Sequence, residues 1–599
     1  SVDGSHWRTA ADGIWGEAAN WTTPPAANGA VFVNADGADD YTVTVGGDTV
    51  PVKSVEIHRG DSGLATLAVG ATLETFEGTA SFGAGARVSV GEDGLWKVTS
   101  KDEYSTATKF SLSDGAVFSV DGGSFQAPNF GGMMLIGDNN DTASGTNTLR
   151  VTDGQLDIQL RKSADSGVRL YPNGRIEVSG GTARFYTQRT SDQCFRNDRG
   201  GTLEVSGEGR LELGGNVYFQ GAQRFSGNAR LSAVKGVDSP VFYVNPLGAG
   251  KVATLEFADH AGVDPTGYPT YNGVEGAYMF GQLKANQDVD DGLTRIRFLG
   301  DGLYQFNSSF EMAINRGRAE MEQTGGFFRT YSAGIAVGTC LYAAQSTTPN
   351  AEAVWRMSGG TAEIRATDAY ARNDRMHGLL IGNGTYVTEG KRGRITGRLF
   401  LSGGAITNMC YESFFGVGLG DAYGELIQTG GEFVKKDAGW ALIGFAGGEG
   451  RYVMSNGIAK VSGSDVWLGG APQSSFVMSM SSGGPKAMAL PACPDSHEAK
   501  GLLRVWGGSF DASTRNMYLG CDGTGRIEVG PTGKVSAKNL VLSNAVAGVA
   551  TSSLRFEFDA DGVGQIAVGG KLTVKPGSKL EVDVGDYSAQ KSGYNIVTY

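Results

Sequence analysis

The densest local gathering of reactive side chains is RATDAYARNDRMH at 365–377, which holds Asp368, Tyr370, Arg372 and His377. A tyrosine or histidine base beside a cation that neutralises a uronate carboxylate is what eliminative cleavage of an acidic polysaccharide needs. The same letters also describe a solvated polar loop, and that is the expectation here. Paired carboxylates are a second possible chemistry, the acid–base work of sugar hydrolysis. The pairs are Asp39–Asp40 in NADGADD and Asp290–Asp291 in QDVDDG, both in turn-like runs without the histidine and arginine such a site requires. No catalytic residue is therefore assigned, and the 368–377 cluster stands as the alternative.

Cofactor chemistry finds no footing. The five cysteines (Cys194, Cys340, Cys410, Cys493, Cys521) and five histidines (His6, His58, His260, His377, His497) are scattered without zinc-ligand spacing. GDNNDTASG at 137–145 and NADGADD at 34–40 offer hard oxygen ligands but match no calcium-loop spacing, so Asx turns are expected. No nucleophile elbow or phosphate loop is present, and isolated glycine-rich matches mean little in a chain with 94 glycines.

With 599 residues, a net charge of −12 and a pI near 5.1, the chain lacks the basic footprint of a nucleic-acid binder. It holds no apolar run long enough to cross a bilayer as a helix. Glycine is about twice its usual share and follows no three-residue period, while aromatics make up 10%. Short apolar runs among many glycines point to an all-β chain rich in turns.

The elements that must position any site are visible as a repeated cassette. VSGGTARF at 178–185 returns as MSGGTAEI at 357–364. Its first part is a short apolar run ending in glycine: MMLIGD at 133–138, LLIGN at 379–383, ALIGF at 441–445, VWLGG at 466–470 and MYLGC at 517–521. The second is an alternating strand opened by glycine, as in GRIEV at 174–178 and 525–529, GRLFL at 397–401 and GRYVM at 450–454. The third is the glycine-pair turn and another alternating strand. Gly174 to Gly201 and Gly397 to Gly424 both span 27 residues, and Gly424 to Gly450 spans 26.

A fixed period of this size marks a stacked repeat. Three period-2 strands per unit make one turn of a right-handed parallel β-helix, with about 18–20 coils spaced as neighbouring strands are. The Ile and Val of GRIEV should stack inward and its Arg and Glu face water. One glycine of each pair should take positive φ at the corner. Cys340 and Cys521 would lie about 30 Å apart along the stack, too far for a disulfide, so free thiols are expected.

The expected organisation is an aromatic cap with the first strands at 1–50, coils at 51–235, irregular coils with long loops or a small lobe at 236–318, and coils at 319–599. Within 236–318, VATLEF, YMFGQL and TRIRFL read as strands. Trp7, Trp15 and Trp21, a Pro–Pro turn, an apolar strand and YTVTV open the chain, and GKLTVKPGSKLEVDVGDYSAQKSGYNIVTY closes it.

With the glycine-rich repeats, these stretches resemble secreted bacterial autotransporter-like parallel β-helix proteins that carry passenger-associated β-strand repeats. The resemblance covers most of the chain in style. It implies an extracellular or cell-surface protein, and the residues themselves give no cofactor to expect. The resulting expectation is a structural β-solenoid: an adhesin-like stalk or the subunit of a filament that joins head to tail through terminal coils. Its partners would be further copies of itself or cell-surface glycans, with no nucleic acid and no membrane insertion. The rival is a β-helix that binds or cleaves glycans in a groove roofed by the loops around 260–290, 340–353 and 366–395.

Overall fold

The computed structural model describes residues 3–76, 80–99, 109–138, 145–160, 167–187, 193–197, 200–234, 241–264, 283–287, 289–306, 309–330, 334–339, 349–366, 378–384, 394–410, 413–437, 439–470, 477–478, 486–487, 499–544, 551–559, 562–584 and 595–598. It is a parallel β-helix. The chain forms two compact units, an N-terminal one of Ser1–Leu247 with Val252–Gly281 and a C-terminal one of Gly248–Lys251 with Gln282–Tyr599.

Each rung is laid down as the cassette dictates. In Gly174–Val178, Ile176 and Val178 are fully buried while Arg175 and Glu177 stay half-buried. Ile176 lies over Leu203, and Val178 over Val205, in parallel register. The same holds in the other unit, where Leu399 stacks on Leu426 and Leu426 on Tyr452. Burying one such side chain is worth about 1.5–3 kcal/mol, so a ladder of like residues commits the register that the alternation only suggests.

Each rung contributes to three faces. Among the described residues, the first face counts ten strands in each unit, against the 18–20 coils expected for the chain. Among the described pairings, the antiparallel ones are minor: Val477–Met478 with Lys486–Ala487, the Phe558–Val563 turn and the Trp7–Trp21 bridge.

The corners answer why the sequence keeps its glycine pairs. At Gly359–Gly360 the second glycine has φ +75°, and a Cβ on the first would run into the Thr324 carbonyl oxygen of the neighbouring rung. The carbonyls freed at other corners are met by buried asparagines. Asn197 Nδ2 donates to Gly201 O at 2.6 Å and Asn286 Nδ2 to Gly292 O at 2.7 Å.

The opening tryptophans pack together as the sequence indicates. Trp21 is fully buried, edge-on to Trp7 at 4.8 Å and to Trp15 at 5.0 Å, and its indole N–H donates to Trp15 O at 2.8 Å. Ala30–Val33 and Tyr41–Val45 already pair with the strands of the next rung. Within 236–318 the strands Val252–Phe257 and Leu293–Phe298 form at VATLEF and TRIRFL. YMFGQL falls almost wholly outside the described residues, with the strand Leu283–Gln287 beginning at its last letter.

One feature departs from simple inward–outward alternation. In the C-terminal unit the first-face strands Gly334–Thr339 and Gly378–Gly384 are buried at every position. Their outward column runs Ala336, Leu380, Gly416, Leu442, Trp467 in register. Leu380 is 3% and Leu442 1% exposed. A strand buried on both faces reads as an unbroken apolar run, which is what WALIGF and GLLIG are.

Candidate functional site

The alternative catalytic cluster Asp368, Tyr370, Arg372 and His377 lies outside the described residues. The two aspartate pairs occupy separate turns. Asp40 accepts the Leu64 backbone N–H at 2.7 Å, and Asp290 is paired with Arg316 at 2.7 Å. In the described part of the 137–145 stretch, Asp138 accepts hydrogen bonds from the Asn147 and Asn173 side-chain amides and from the Asp114 backbone N–H, all distant in sequence. The segment expected to turn, 139–144, lies outside the described residues. Among the described residues, no group of three His, Cys, Asp or Glu is arranged to hold a metal ion.

Cys194 and Cys521 are free thiols. Cys194 is sealed inside the N-terminal unit, where burial pushes its pKa up to about 12 and removes its nucleophilic thiolate at neutral pH. Cys521 is half-buried and also pushed up, first by burial. It packs beside Trp467 and Tyr518, whose rings stack 4.1 Å apart.

The outward positions of the second face carry a ladder of alternating charge. Arg150 meets Glu177 at 2.7 Å, Arg175 bridges Glu177 and Glu204, and Arg504 and Arg526 close on Glu528 at 2.5 and 2.6 Å. The pairs that cross between strands, Arg150–Glu177, Arg175–Glu204 and Arg504–Glu528, hold neighbouring rungs in step, each worth about 0–1 kcal/mol when exposed.

In the C-terminal unit this ladder opens into a cavity of about 460 Å³ lined by Arg394, Ile395, Thr396, Arg398, Asp421 and Tyr423. Two adjacent rungs build it, Arg394–Leu401 and Ala422–Gln428, with Thr396 beside Tyr423 and Arg398 beside Glu425 in register. The corner brings these side chains to one place. Gly382 has φ +69°, and a Cβ there would strike the Tyr423 carbonyl, so only glycine lets the rungs close at this depth.

The floor is apolar, because Ile395 is 1% exposed and packs on Ala422. The wall is Tyr423, whose ring lies between two guanidiniums, Arg398 at 5.9 Å and Arg451 at 5.5 Å. Burial, then the Glu425 carboxylate, pushes the Tyr423 phenol upward, so it remains a hydrogen-bond donor at neutral pH.

Ion pairing around the cleft mixes long and short contacts, as it does elsewhere on the ladder. Arg398 reaches Glu352 at 3.3 Å and Glu425 at 3.6 Å, whereas Arg451 sits tightly on Glu449 at 2.6 Å. Arg394 is exposed and has no acidic partner among the described residues. No family model, curated protein or solved structure matches the chain. The site is thus defined by its own geometry: an open cleft with a buried apolar floor, an aromatic wall flanked by two guanidiniums, and the exposed Arg394 at its edge.

Sequence reasoning did not single out these residues. The groove it weighed was bounded by loops, including 366–395, and reaches Arg394 at its edge. Arg398, Asp421 and Tyr423 stand in ordinary cassette letters, GRLFL and DAYGELIQ. The available signal was the column itself: Thr396, Tyr423 and Glu449 each precede the second-face glycine, and only one of them is aromatic.

Proposed function

We propose that the chain is a structural β-solenoid of a cell surface or the extracellular space, an adhesin-like stalk or filament subunit rather than an enzyme. The observation that carries this reading is register. Apolar ladders run rung upon rung through both units, which is a design for persistence under load rather than for a catalytic pocket. The tryptophan-rich opening and the glycine cassette, in their likeness to secreted bacterial β-helix proteins, support the same reading. So does the surface of the two described strands Leu572–Val574 and Lys579–Asp583, which pair onto Leu540–Leu542 and Ser553–Glu557 respectively. It presents Val574, Leu580 and Val582 at 58, 61 and 48% exposure, apolar side chains on which another rung could stack.

In this reading the partners are further copies of the chain, added head to tail. Electron micrographs over a concentration series test it. End-to-end strings that lengthen with concentration are the expected result, and single particles at every concentration would contradict the filament form. As for membranes, no helix among the described residues is long and apolar enough to span one.

A further inference from the structure

We propose that Asn456, at the corner Ser455–Asn456–Gly457 of the C-terminal unit, is a site of spontaneous covalent modification: it deamidates to aspartate and isoaspartate in the folded chain. The inference is independent of the scaffold reading. Corners of this kind read SGG at 179–181, 358–360 and 402–404 and TGG at 429–431, whereas at 455–457 an asparagine takes the place of the first glycine. The chemistry needs only water. Gly457 N attacks Asn456 Cγ, the Cγ–Nδ2 bond breaks, and the Gly457 amide proton leaves with the amine as ammonia, closing a five-membered imide. Water then opens the ring at either carbonyl. The structure favours this pair over the chain's other Asn–Gly sequences. The Gly457 N–H donates to Asn456 Oδ1 at 2.8 Å, which keeps the attacking nitrogen beside Cγ. Asn456 is exposed, and among the described residues neither its own amide nor that of Gly457 donates to a backbone carbonyl. The anchors flank the pair, with Ser455 N on Gln428 O at 3.0 Å and Ile458 N on Gly431 O at 3.1 Å.

The other described pairs are tied down. Gly29 N donates to Ala26 O at 3.0 Å and Gly174 N to Tyr171 O at 2.8 Å, so attack there must first break a backbone hydrogen bond. Asn173 also commits both ends of its amide to Asp138. Asn383 lies inside the strand Gly378–Gly384 and is 2% exposed. The fifth pair, Asn272–Gly273, lies outside the described residues. The product matters because the corner has no slack. A Cβ on Gly457 would lie 2.7 Å from Gly431 O, and one on Gly508 2.3 Å from Gly457 O. Isoaspartate puts one more carbon into the backbone between those two rungs, so the corner must open. Aspartate adds charge at an exposed position and leaves the backbone as it was.

Peptide mass mapping of the full chain, aged in warm and mildly alkaline buffer, tests the proposal. The Asn456 peptide should gain one mass unit about five- to tenfold faster than the Asn28 and Asn173 peptides, the factor that one intact backbone hydrogen bond implies. In denaturant, where no fold distinguishes them, the three should react at similar rates. Asn456→Gly restores the sequence of the neighbouring corners and should hold its melting temperature through ageing, while that of the parent falls as isoaspartate accumulates. Asn456→Asp should melt like the fresh parent, because it carries the charge without the extra backbone atom. The proposal is overturned if Asn456 reacts no faster than Asn28 and Asn173 in the folded chain, or if its lead persists undiminished in denaturant. An Asn456→Gly chain that loses melting temperature with age as the parent does would also overturn it.

Discussion

On the first face of the N-terminal unit the outward column runs Glu56, Ser81, Ser111, Leu135, Arg169, Arg196, Tyr218, all half-buried, with the Ser111 hydroxyl 3.2 Å from that of Ser81. In the C-terminal unit the equivalent column runs Ala336, Leu380, Gly416, Leu442, Trp467, and it is buried. The inward sides are alike in both: Val, Leu, Ile and Phe over one another. Stacking rungs therefore requires only one apolar side of each strand, and the other side is free to be finished for water or for contact. The C-terminal unit has used that freedom to make its first face part of a core.

The largest expected effect breaks this comparison directly. Leu442→Asp puts an unpaired carboxylate into a buried column and should cost about 4 kcal/mol or more, read as a collapse of the denaturant midpoint. Ser111→Asp, in the equivalent column of the N-terminal unit, should stay within about 0.5 kcal/mol. Equal costs would show that the two faces do not differ as described.

A smaller effect sharpens the contrast at the glycines. Gly444 has φ +68°, and a Cβ there would meet the Lys500 carbonyl oxygen of the next rung, whereas nothing lies near a Cβ on Gly46. Gly444→Ala should cost about 2–3 kcal/mol and Gly46→Ala almost nothing. Melting curves of the two variants suffice.

The smallest concerns acid. On the third face of the N-terminal unit a cation, Arg184, sits between Asp157 at 3.0 Å and Glu212 at 2.7 Å. In the C-terminal unit the order is reversed, with Glu363 between Arg329 at 2.8 Å and Arg365 at 2.5 Å. Burial alone would raise the Glu363 pKa, but the Arg365 and Arg329 guanidiniums outweigh it and hold the carboxyl below its ordinary 4.5. A depressed folded value means the stabilisation is present above that ordinary pKa and is lost as pH falls through the folded one. Glu363→Gln should therefore cost about 1–2 kcal/mol at pH 7 and nothing once the parent carboxyl is protonated. A cost that persists unchanged in acid would contradict this.

Much of the fold was legible in the sequence, because period and glycine placement are backbone facts. GRIEV states which side chains point inward, and the SGG pair states where the corner lies. The buried outward column was legible in principle, since WALIGF and GLLIG do not alternate. Yet a run of apolar letters says that both sides are buried without saying by what. The cleft was least legible. Arg394, Arg398, Asp421 and Tyr423 are separated along the chain by up to 29 residues, and their meeting depends on which rung follows which. That is a register property, and no single cassette contains it.

Everything above rests on in-register parallel stacking, and disulfide trapping tests it most directly. Ser81→Cys with Ser111→Cys places two thiols on register partners in the N-terminal unit, and Glu425→Cys with Arg451→Cys does so in the C-terminal unit. Under mild oxidation both pairs should close, giving faster-migrating bands on a non-reducing gel. The offset pairs, Ser81→Cys with Ser113→Cys and Glu425→Cys with Val453→Cys, should stay open. Offset pairs that close as readily as the register pairs, or register pairs that never close, would contradict the account.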